Sequence, residues 1–167
     1  MTHVIVNDAS CLIDLHKARL LHALLELPHR LVVPLPIRAS EVLTLSAADW
    51  ALMDAGGLTT FDLPGEDVVQ AMGYRMRNPG LSANDSLCLA TAQRFEDAVL
   101  LTGDRLLRNV AKRLEIDVHG VLWLHDLLVA ADAAPVLQLR AALEIWRDDA
   151  AVFLPRAELE RRLRRLR

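Results

Sequence analysis

The sequence predicts an α/β protein in which helices flank a central parallel sheet, and three observations support this fold class. Short apolar runs alternate with helical patterns through most of the chain, as in folds built from strand–helix–strand units. The runs are apolar throughout, which is typical of strands buried on both faces of a sheet. Two of them, residues 3–6 and 98–102, are followed within two positions by an aspartate. Ligands bind at the carboxyl ends of strands in such folds, so we expect a functional site there.

The first two predicted units are a strand at residues 3–6 with its helix and a strand at residues 31–35 with its helix. The first helical pattern is carried by Leu12, Leu15, Leu20, Leu21 and Leu24. The second helix begins at Pro36, a residue favoured in the first helical position. Its apolar side carries Ile37, Val42 and Leu43. Glu41 therefore falls about one turn into this predicted helix.

The remaining elements continue the alternation and then lose their strands. Further strands are predicted at residues 58–63, 98–102 and 117–120. Further helices are predicted at residues 46–54, 67–76, from 82 onward, 105–114, 121–131, 135–146 and 155–167. No strand separates the last two helices. We therefore predict a sheet-containing domain over residues 1–132 and a helical extension, residues 133–167, packed on the same domain.

Composition supports one compact domain. The chain has 167 residues, of which 53% are hydrophobic, and a formal net charge of -3. Basic residues crowd the C-terminus at Arg156, Arg161, Arg162, Arg164, Arg165 and Arg167. The small net charge therefore does not exclude an anionic partner. We expect the leucines of this segment, Leu159, Leu163 and Leu166, to pack on the domain as one helical stripe.

Several function classes are not supported by the sequence. The two cysteines, Cys11 and Cys88, lie in apolar helical patterns without the spacing of a zinc site, so we interpret them as reduced core thiols. The six histidines show no metal-binding spacing, and the three tryptophans are expected in the core or an interface. There is no signal-like start and no apolar run of about 20 residues, so a soluble cytoplasmic protein is expected.

Four acidic residues at strand-to-helix transitions are the candidate site: Asp8, Glu41, Asp85 and Asp104. Singly, Asp104 could cap a helix, Asp85 could close an S-x-x-D capping box with Ser82, and Asp8 could end a strand. Glu41 has no capping explanation at its predicted depth in a helix. Carboxylates gathered at one sheet edge repel each other unless a cation binds or their pKa values rise. Hard divalent ions with oxygen ligands, Mg²⁺ or Mn²⁺, suit such a site.

The motifs around these acids together resemble those of the PIN-domain family. They read VIVNDAS at residues 4–10, SEVL at 40–43, LSAND at 81–85 and LLTGD at 100–104. The resemblance covers roughly residues 3–132 and implies a three-layer PIN-like fold with metal-dependent nuclease activity. In length and layout the chain is similar to the VapC-type toxins of bacterial type II toxin–antitoxin pairs. That similarity implies an RNA substrate, a cognate antitoxin protein and a homodimer, with no membrane partner.

The resemblance implies that the four acids bind Mg²⁺ or Mn²⁺, with Ser10 and Thr102 as supporting hydroxyls. Capping or strand-end hydrogen bonding is an equal alternative for the two hydroxyls. An acidic pocket that cleaves RNA also needs cations at its rim. Candidate RNA contacts are Arg38, Arg75, Arg77, Arg105, Arg108 and Lys112. An ordinary solvated helix face is the alternative for each of them.

Two other functions stay open at this point. The first is a non-catalytic PIN-like module that binds RNA or a protein. The second is a Mg²⁺-dependent receiver-like phospho-acceptor domain, which needs a lysine after a late strand. The only lysines are Lys17 and Lys112, and neither follows a predicted strand. The sequence therefore favours the endoribonuclease over the receiver.

Overall fold

A five-stranded sheet lies at the centre of the computed structural model, which describes residues 2–40 and 42–166. The strands, numbered in chain order, are β1 (Val4–Asn7), β2 (Arg30–Pro34), β3 (Thr59–Phe61), β4 (Ala98–Leu101) and β5 (Asp117–His119). Their order across the sheet is β3-β2-β1-β4-β5, and all four pairings are parallel. The predicted α/β fold class with a central parallel sheet is confirmed.

Helices connect the strands and cover the sheet. They are α1 (Ala9–Lys17), α2 (Leu21–Leu25), α3 (Leu35–Ser40), α4 (Ala47–Ala55), α5 (Gly65–Arg77), α6 (Ala83–Arg94), α7 (Arg105–Arg113), α8 (Val121–Ala130), α9 (Val136–Asp148) and α10 (Arg156–Arg165). One continuous apolar core joins them to the strands, with Ile5 and Leu100 of the central strands and Leu12 of α1 fully buried. Within residues 2–40 and 42–166, no helix has the length and apolar composition needed to span a membrane.

The strand order creates a crevice at the carboxyl ends of β1 and β4. From β1 the chain builds β2 and β3 on one side, then crosses to build β4 and β5 on the other. Such a switch point is where open α/β sheets bind ligands, because the connections leave the two neighbouring strand ends in opposite directions. The residues that follow β1 and β4 therefore meet in this crevice.

Backbone hydrogen bonds hold the two chain segments beyond these strand ends in place. The Asp8 N–H donates to the Leu101 carbonyl at 3.0 Å, and the Thr102 N–H donates to the His119 carbonyl at 3.0 Å. Both bonds continue the sheet pairing one residue past the strands. The positions of Asp8 and Thr102 are thus set by the sheet and not by a free loop.

Two predicted helices differ from the structure. The first is divided into α1 and α2, with Arg19 between them in the left-handed region at φ 58°. The second ends at Ser40, so Val42 and Leu43 are not helical. The Val42 N–H donates to the Ile37 carbonyl at 3.2 Å, which holds the chain against the end of the helix. The Val42 side chain is buried. The apolar spacing was misleading because Val42 reaches the core from an irregular segment, while Leu43 is 76% exposed.

The two C-terminal helices pack on the sheet domain. The Trp146 indole of α9 is buried and donates to the Asp14 carbonyl of α1 at 2.8 Å. On α10, Leu159 and Leu163 are buried, which confirms the predicted leucine stripe for these two residues. Arg162 lies between them and is also buried. The division into a domain of residues 1–132 and an extension of residues 133–167 stays a prediction.

Arg162 connects α10 to α8 through charge-assisted hydrogen bonds. Its guanidinium donates to both carboxylate oxygens of Asp126 at 2.8 and 2.6 Å and to Glu158 Oε2 at 2.8 Å. The arginine side chain is only 10% exposed. Bidentate pairs of this kind are stronger than ordinary surface ion pairs because the geometry is fixed and water is partly excluded.

We predict that Arg162→Gln lowers the free energy of unfolding by about 1–3 kcal/mol, since two carboxylates lose their charged donor. The matched control is Arg161→Gln, because Arg161 pairs with Glu158 from an exposed position. That change is expected to cost less than about 1 kcal/mol. Urea unfolding followed by circular dichroism measures both. Equal losses from the two variants would show that Arg162 is no more than a surface charge.

Candidate functional site

Asp8 is a buried carboxylate at the carboxyl end of β1. It is 4% exposed, and its Oδ2 accepts hydrogen bonds from Thr102 Oγ1 at 2.8 Å and from Ser10 Oγ at 3.0 Å. The Cys88 thiol lies 3.9 Å from its other oxygen. Asp8 occupies the N-cap position of α1, but its side chain makes no capping hydrogen bond. Helix capping therefore does not explain this residue.

The pKa of Asp8 lies above the ordinary value for an aspartate. Burial is the largest cause, and the nearby Asp85 carboxylate raises the pKa further, while the hydrogen bonds from Thr102 and Ser10 oppose the rise. Both causes of the rise are penalties on the ionised form. A bound cation would remove the repulsion and replace lost hydration, so this carboxylate is suited to hold one.

Asp85 lies at the third position of α6, as predicted, and it takes part in a capping box. Its Oδ2 accepts from the Ser82 N–H at 2.8 Å, and its own N–H donates to Ser82 Oγ at 3.0 Å. The capping interpretation is therefore confirmed for Asp85. It does not exclude a second role, because the same half-buried carboxylate is close enough to raise the pKa of Asp8.

Asp104 also caps a helix, and it is linked to Asp8 through one hydroxyl. Its Oδ1 accepts from the Leu107 N–H at 2.7 Å at the start of α7. Its backbone N–H donates to Thr102 Oγ1 at 3.0 Å, and that hydroxyl in turn donates to Asp8. The exposed Asp104 side chain thus extends from a backbone that is tied to the buried aspartate.

The two predicted supporting hydroxyls connect the ends of β1 and β4. Thr102 donates to Asp8 and accepts from the Asp104 N–H. Ser10 donates to Asp8 and accepts from the Gly103 N–H at 3.0 Å. Each hydroxyl uses its single donor on the carboxylate and accepts a backbone N–H from the loop after β4. Together they fix where the Asp8 oxygens lie relative to that loop.

Glu41, the remaining acid of the predicted set, lies outside the described residues. The residues on its two sides are placed: Ser40 ends α3, and Val42 is buried. The Ser40 hydroxyl accepts from the Asn84 side-chain amide at 3.2 Å, which links the end of α3 to the first turn of α6. The end of α3 and the helix that carries Asp85 are therefore neighbours.

The described acids suit a Mg²⁺-type ion more than a fully protein-ligated metal. Over residues 2–40 and 42–166, no three His, Cys, Asp or Glu side chains are grouped closely enough to hold a metal by themselves. Asp85 is close enough to Asp8 to raise its pKa, and the Asp104 backbone is linked to Asp8 through the Thr102 hydroxyl. Mg²⁺ is usually held by one or two carboxylates and keeps several waters. The donor chemistry fits such an ion, with oxygen ligands and a buried carboxylate that is costly to ionise alone.

The candidate RNA-binding cations differ in how far the fold already uses them. Arg38 donates to both oxygens of Asp54 at 2.7 and 2.8 Å and lies over the Trp50 ring. Arg77 lies over the Tyr74 ring. The others, Arg75, Arg105 and Lys112, are exposed, and Arg108 is half-buried. Arg38 is therefore committed to a structural ion pair, whereas the last four are more available.

Two residues near the site were not singled out by the sequence. Cys88, interpreted as a core thiol, is indeed buried, but it also contacts Asp8. Its position three residues after Asp85 could have indicated that it lies near the site, since residues three apart share a helix face. Asn7 is fully buried, and its amide donates to the carbonyls of Ile5 and Val32 at 3.1 Å. Only knowledge of the strand order could have placed Asn7 across from β2.

We predict that Asp8→Asn stabilises the metal-free protein at neutral pH. Asp8 has a folded pKa above its unfolded value, so its ionised form costs stability, and that cost is fully present above the folded pKa. Asparagine removes the charge and still accepts the hydroxyl hydrogen bonds. Thermal unfolding in EDTA should show a higher Tm for the variant, and the gap should close as the pH falls toward about 4.

The matched control for this prediction is Asp62→Asn. Asp62 also follows a strand of the sheet, but it is exposed and lies beyond the edge strand β3. Its substitution should change the free energy of unfolding by no more than about 0.5 kcal/mol, so Tm should stay nearly the same. A lower Tm for Asp8→Asn across the same pH range would contradict the argument that the Asp8 charge is destabilising.

Comparison with known families agrees with the fold. A family model described as a PIN domain matches residues 4–167, which is nearly the whole chain and includes the C-terminal helices. No curated protein matched the chain. PIN domains are generally metal-dependent nucleases. The parallel sheet, the acids beyond β1 and β4 and the family match lead to one conclusion: this chain belongs to the PIN-domain family.

Proposed function

We propose that the protein is a metal-dependent endoribonuclease that cleaves RNA phosphodiesters at the crevice between β1 and β4. The observation that carries this proposal is the buried Asp8 carboxylate, held by Thr102 and Ser10 and raised in pKa by burial and by Asp85. Such a carboxylate is expensive to maintain without a cation. We propose Mg²⁺ or Mn²⁺ as that cation.

The proposed site consists of Asp8, Glu41, Asp85 and Asp104. When bound, the metal would supply charge neutralisation for the phosphodiester and lower the pKa of water. Thr102 and Ser10 hold one Asp8 oxygen, and the other lies 3.9 Å from the Cys88 thiol. The Oδ2 of Asp104 makes no hydrogen bond with the described residues and could accept the proton of an attacking water. Glu41 enters this set through the family resemblance.

The biological setting is proposed on the same resemblance. The likeness to VapC-type toxins in length and layout supports a toxin of a bacterial type II toxin–antitoxin pair, acting in the cytoplasm as a homodimer. A cognate antitoxin protein is then the expected partner. The adjacent reading frame tests this directly, since a small protein with a DNA-binding half encoded next to this gene is expected.

We predict that Asp104→Asn reduces RNA cleavage by about 100-fold or more, because a positioned proton acceptor commonly contributes about 100- to 10,000-fold to the rate. Asparagine is as good an N-cap as aspartate, so α7 should keep its first turn and only the charge is lost. A fluorogenic RNA assay with Mg²⁺ and Mn²⁺ titrations, and with EDTA, measures the effect. EDTA is expected to abolish cleavage by the parent protein.

The control variant is again Asp62→Asn, which should cleave at the parental rate. Cleavage by Asp104→Asn at the parental rate over the whole metal titration would remove Asp104 from the proposed site. Cleavage by the parent that persists in EDTA would refute the metal-dependent mechanism.

A further inference from the structure

A cavity of about 430 Å³ lies next to the proposed active site. It is bordered by one side of α1 from Ser10 to Lys17, the first turn of α7, the start of α8 and four residues of the segment 151–155. Ser10, Thr102 and Gly103 form the wall nearest the acids. Because Ser10 and Thr102 also bond Asp8, the cavity and the proposed site share a wall. We call it the Arg108 cavity, after the cation in its lining.

Arg108 is a half-buried arginine without an ion pair among the described residues. Its Nε is buried and has no hydrogen-bond partner. Gly120 makes room for it, since a Cβ at that position would lie 2.9 Å from Arg108 Nη2. Other partly buried arginines in the described chain have carboxylate partners, Asp54 for Arg38 and Asp126 for Arg162. The Arg108 guanidinium therefore carries a positive charge and hydrogen-bond donors that no described carboxylate pairs with. A phosphate group suits its planar geometry.

The lining of the Arg108 cavity also includes apolar residues. Ile13, Leu154 and Pro155 contribute to it, together with Phe153. Phe153 is 92% exposed, so its ring is accessible to a ligand. An exposed aromatic ring beside a cationic groove is the arrangement on which single-stranded RNA bases stack. The cavity volume also falls within the range of about 300–1,000 Å³ typical of ligand pockets.

Two further charged residues border the cavity, one of each sign. Lys17 is paired with Asp149 at 3.1 Å. Asp14 opposes an anion, because burial raises its pKa only to about 6 and most of it stays ionised near neutral pH. Of the two cations in the described lining, Lys17 has a carboxylate partner and Arg108 has none.

We propose that the Arg108 cavity binds a nucleotide of single-stranded RNA adjacent to the scissile phosphodiester, with Arg108 on its phosphate and Phe153 on its base. This rests on the proposed nuclease function, because the shared wall of Ser10 and Thr102 is what places the cavity beside the cleaved bond. The chain has few aromatic residues, so Phe153 is the stacking surface that this site would use.

The test measures binding of a short fluorescein-labelled single-stranded RNA in EDTA, where cleavage does not interfere. Arg108→Gln is expected to weaken binding about tenfold or more, since it removes charge-assisted hydrogen bonds. It should also reduce the slope of log binding constant against log salt concentration by about one. Arg108→Lys should recover the salt dependence but only part of the affinity. Phe153→Ala should weaken binding about tenfold through loss of stacking.

Matched controls separate a defined cavity from general charge and surface effects. Arg164→Gln removes an exposed cation from α10, and Leu137→Ala removes an exposed apolar side chain, 81% accessible, from α9. Both should bind RNA within about twofold of the parent. Equal losses from Arg164→Gln and Arg108→Gln would overturn the proposal, because binding would then follow total charge alone.

Adenosine 5′-monophosphate and inorganic phosphate distinguish an RNA subsite from a site for a free nucleotide. As competitors they should displace the labelled RNA only weakly, and more weakly still with Arg108→Gln. Free nucleotide that binds more tightly than RNA would overturn the proposal. If the parent cleaves RNA with Mg²⁺ while all cavity variants bind normally, the cavity fails and the nuclease function stands. If cavity variants lose RNA binding but no metal supports cleavage, the nuclease proposal fails and RNA binding by the cavity is supported.

Discussion

The hydrogen bond from the Thr102 hydroxyl to the buried Asp8 carboxylate is the interaction on which the candidate site depends. It joins the ends of the two central strands at the point where the chain changes direction across the sheet. The same hydroxyl accepts a hydrogen bond from the backbone N–H of Asp104, so it also positions that residue. Ser10 repeats this arrangement with Gly103. The sheet supplies the rigidity, and two short hydroxyl side chains transmit it to the carboxylates.

The acids serve the fold and the proposed chemistry at the same time. Asp85 and Asp104 complete helix N-termini, where carboxylates are favoured by the helix dipole. Asp8, at the N-cap of α1, makes no side-chain capping bond, and burial raises its pKa. Asp85 and Asp104 therefore stabilise the fold, whereas the ionised form of Asp8 costs stability. Proteins commonly keep a costly group of this kind at functional sites.

Much of this arrangement could be predicted from the sequence, and the exceptions have physical reasons. Apolar runs followed by aspartates placed Asp8 and Asp104 at carboxyl ends, because the side-chain pattern of a buried parallel strand is distinctive. The helix after β2 was predicted too long, since Val42 is apolar for packing and not for helical periodicity. The contact between Cys88 and Asp8 and the Arg108 cavity depend on how α6, α7 and residues 151–155 pack. Local patterns do not encode that packing.

The pKa of Asp8, measured with and without metal, decides whether this carboxylate belongs to a cation site. Carbon-13 NMR of the side-chain carboxyl, assigned by its absence in Asp8→Asn, reports the pKa with and without Mg²⁺. The account predicts a metal-free pKa above the ordinary value for an aspartate, because the carboxylate is buried and near Asp85. It also predicts a lower pKa when Mg²⁺ is added. An ordinary pKa that Mg²⁺ does not change would contradict a cation site at Asp8.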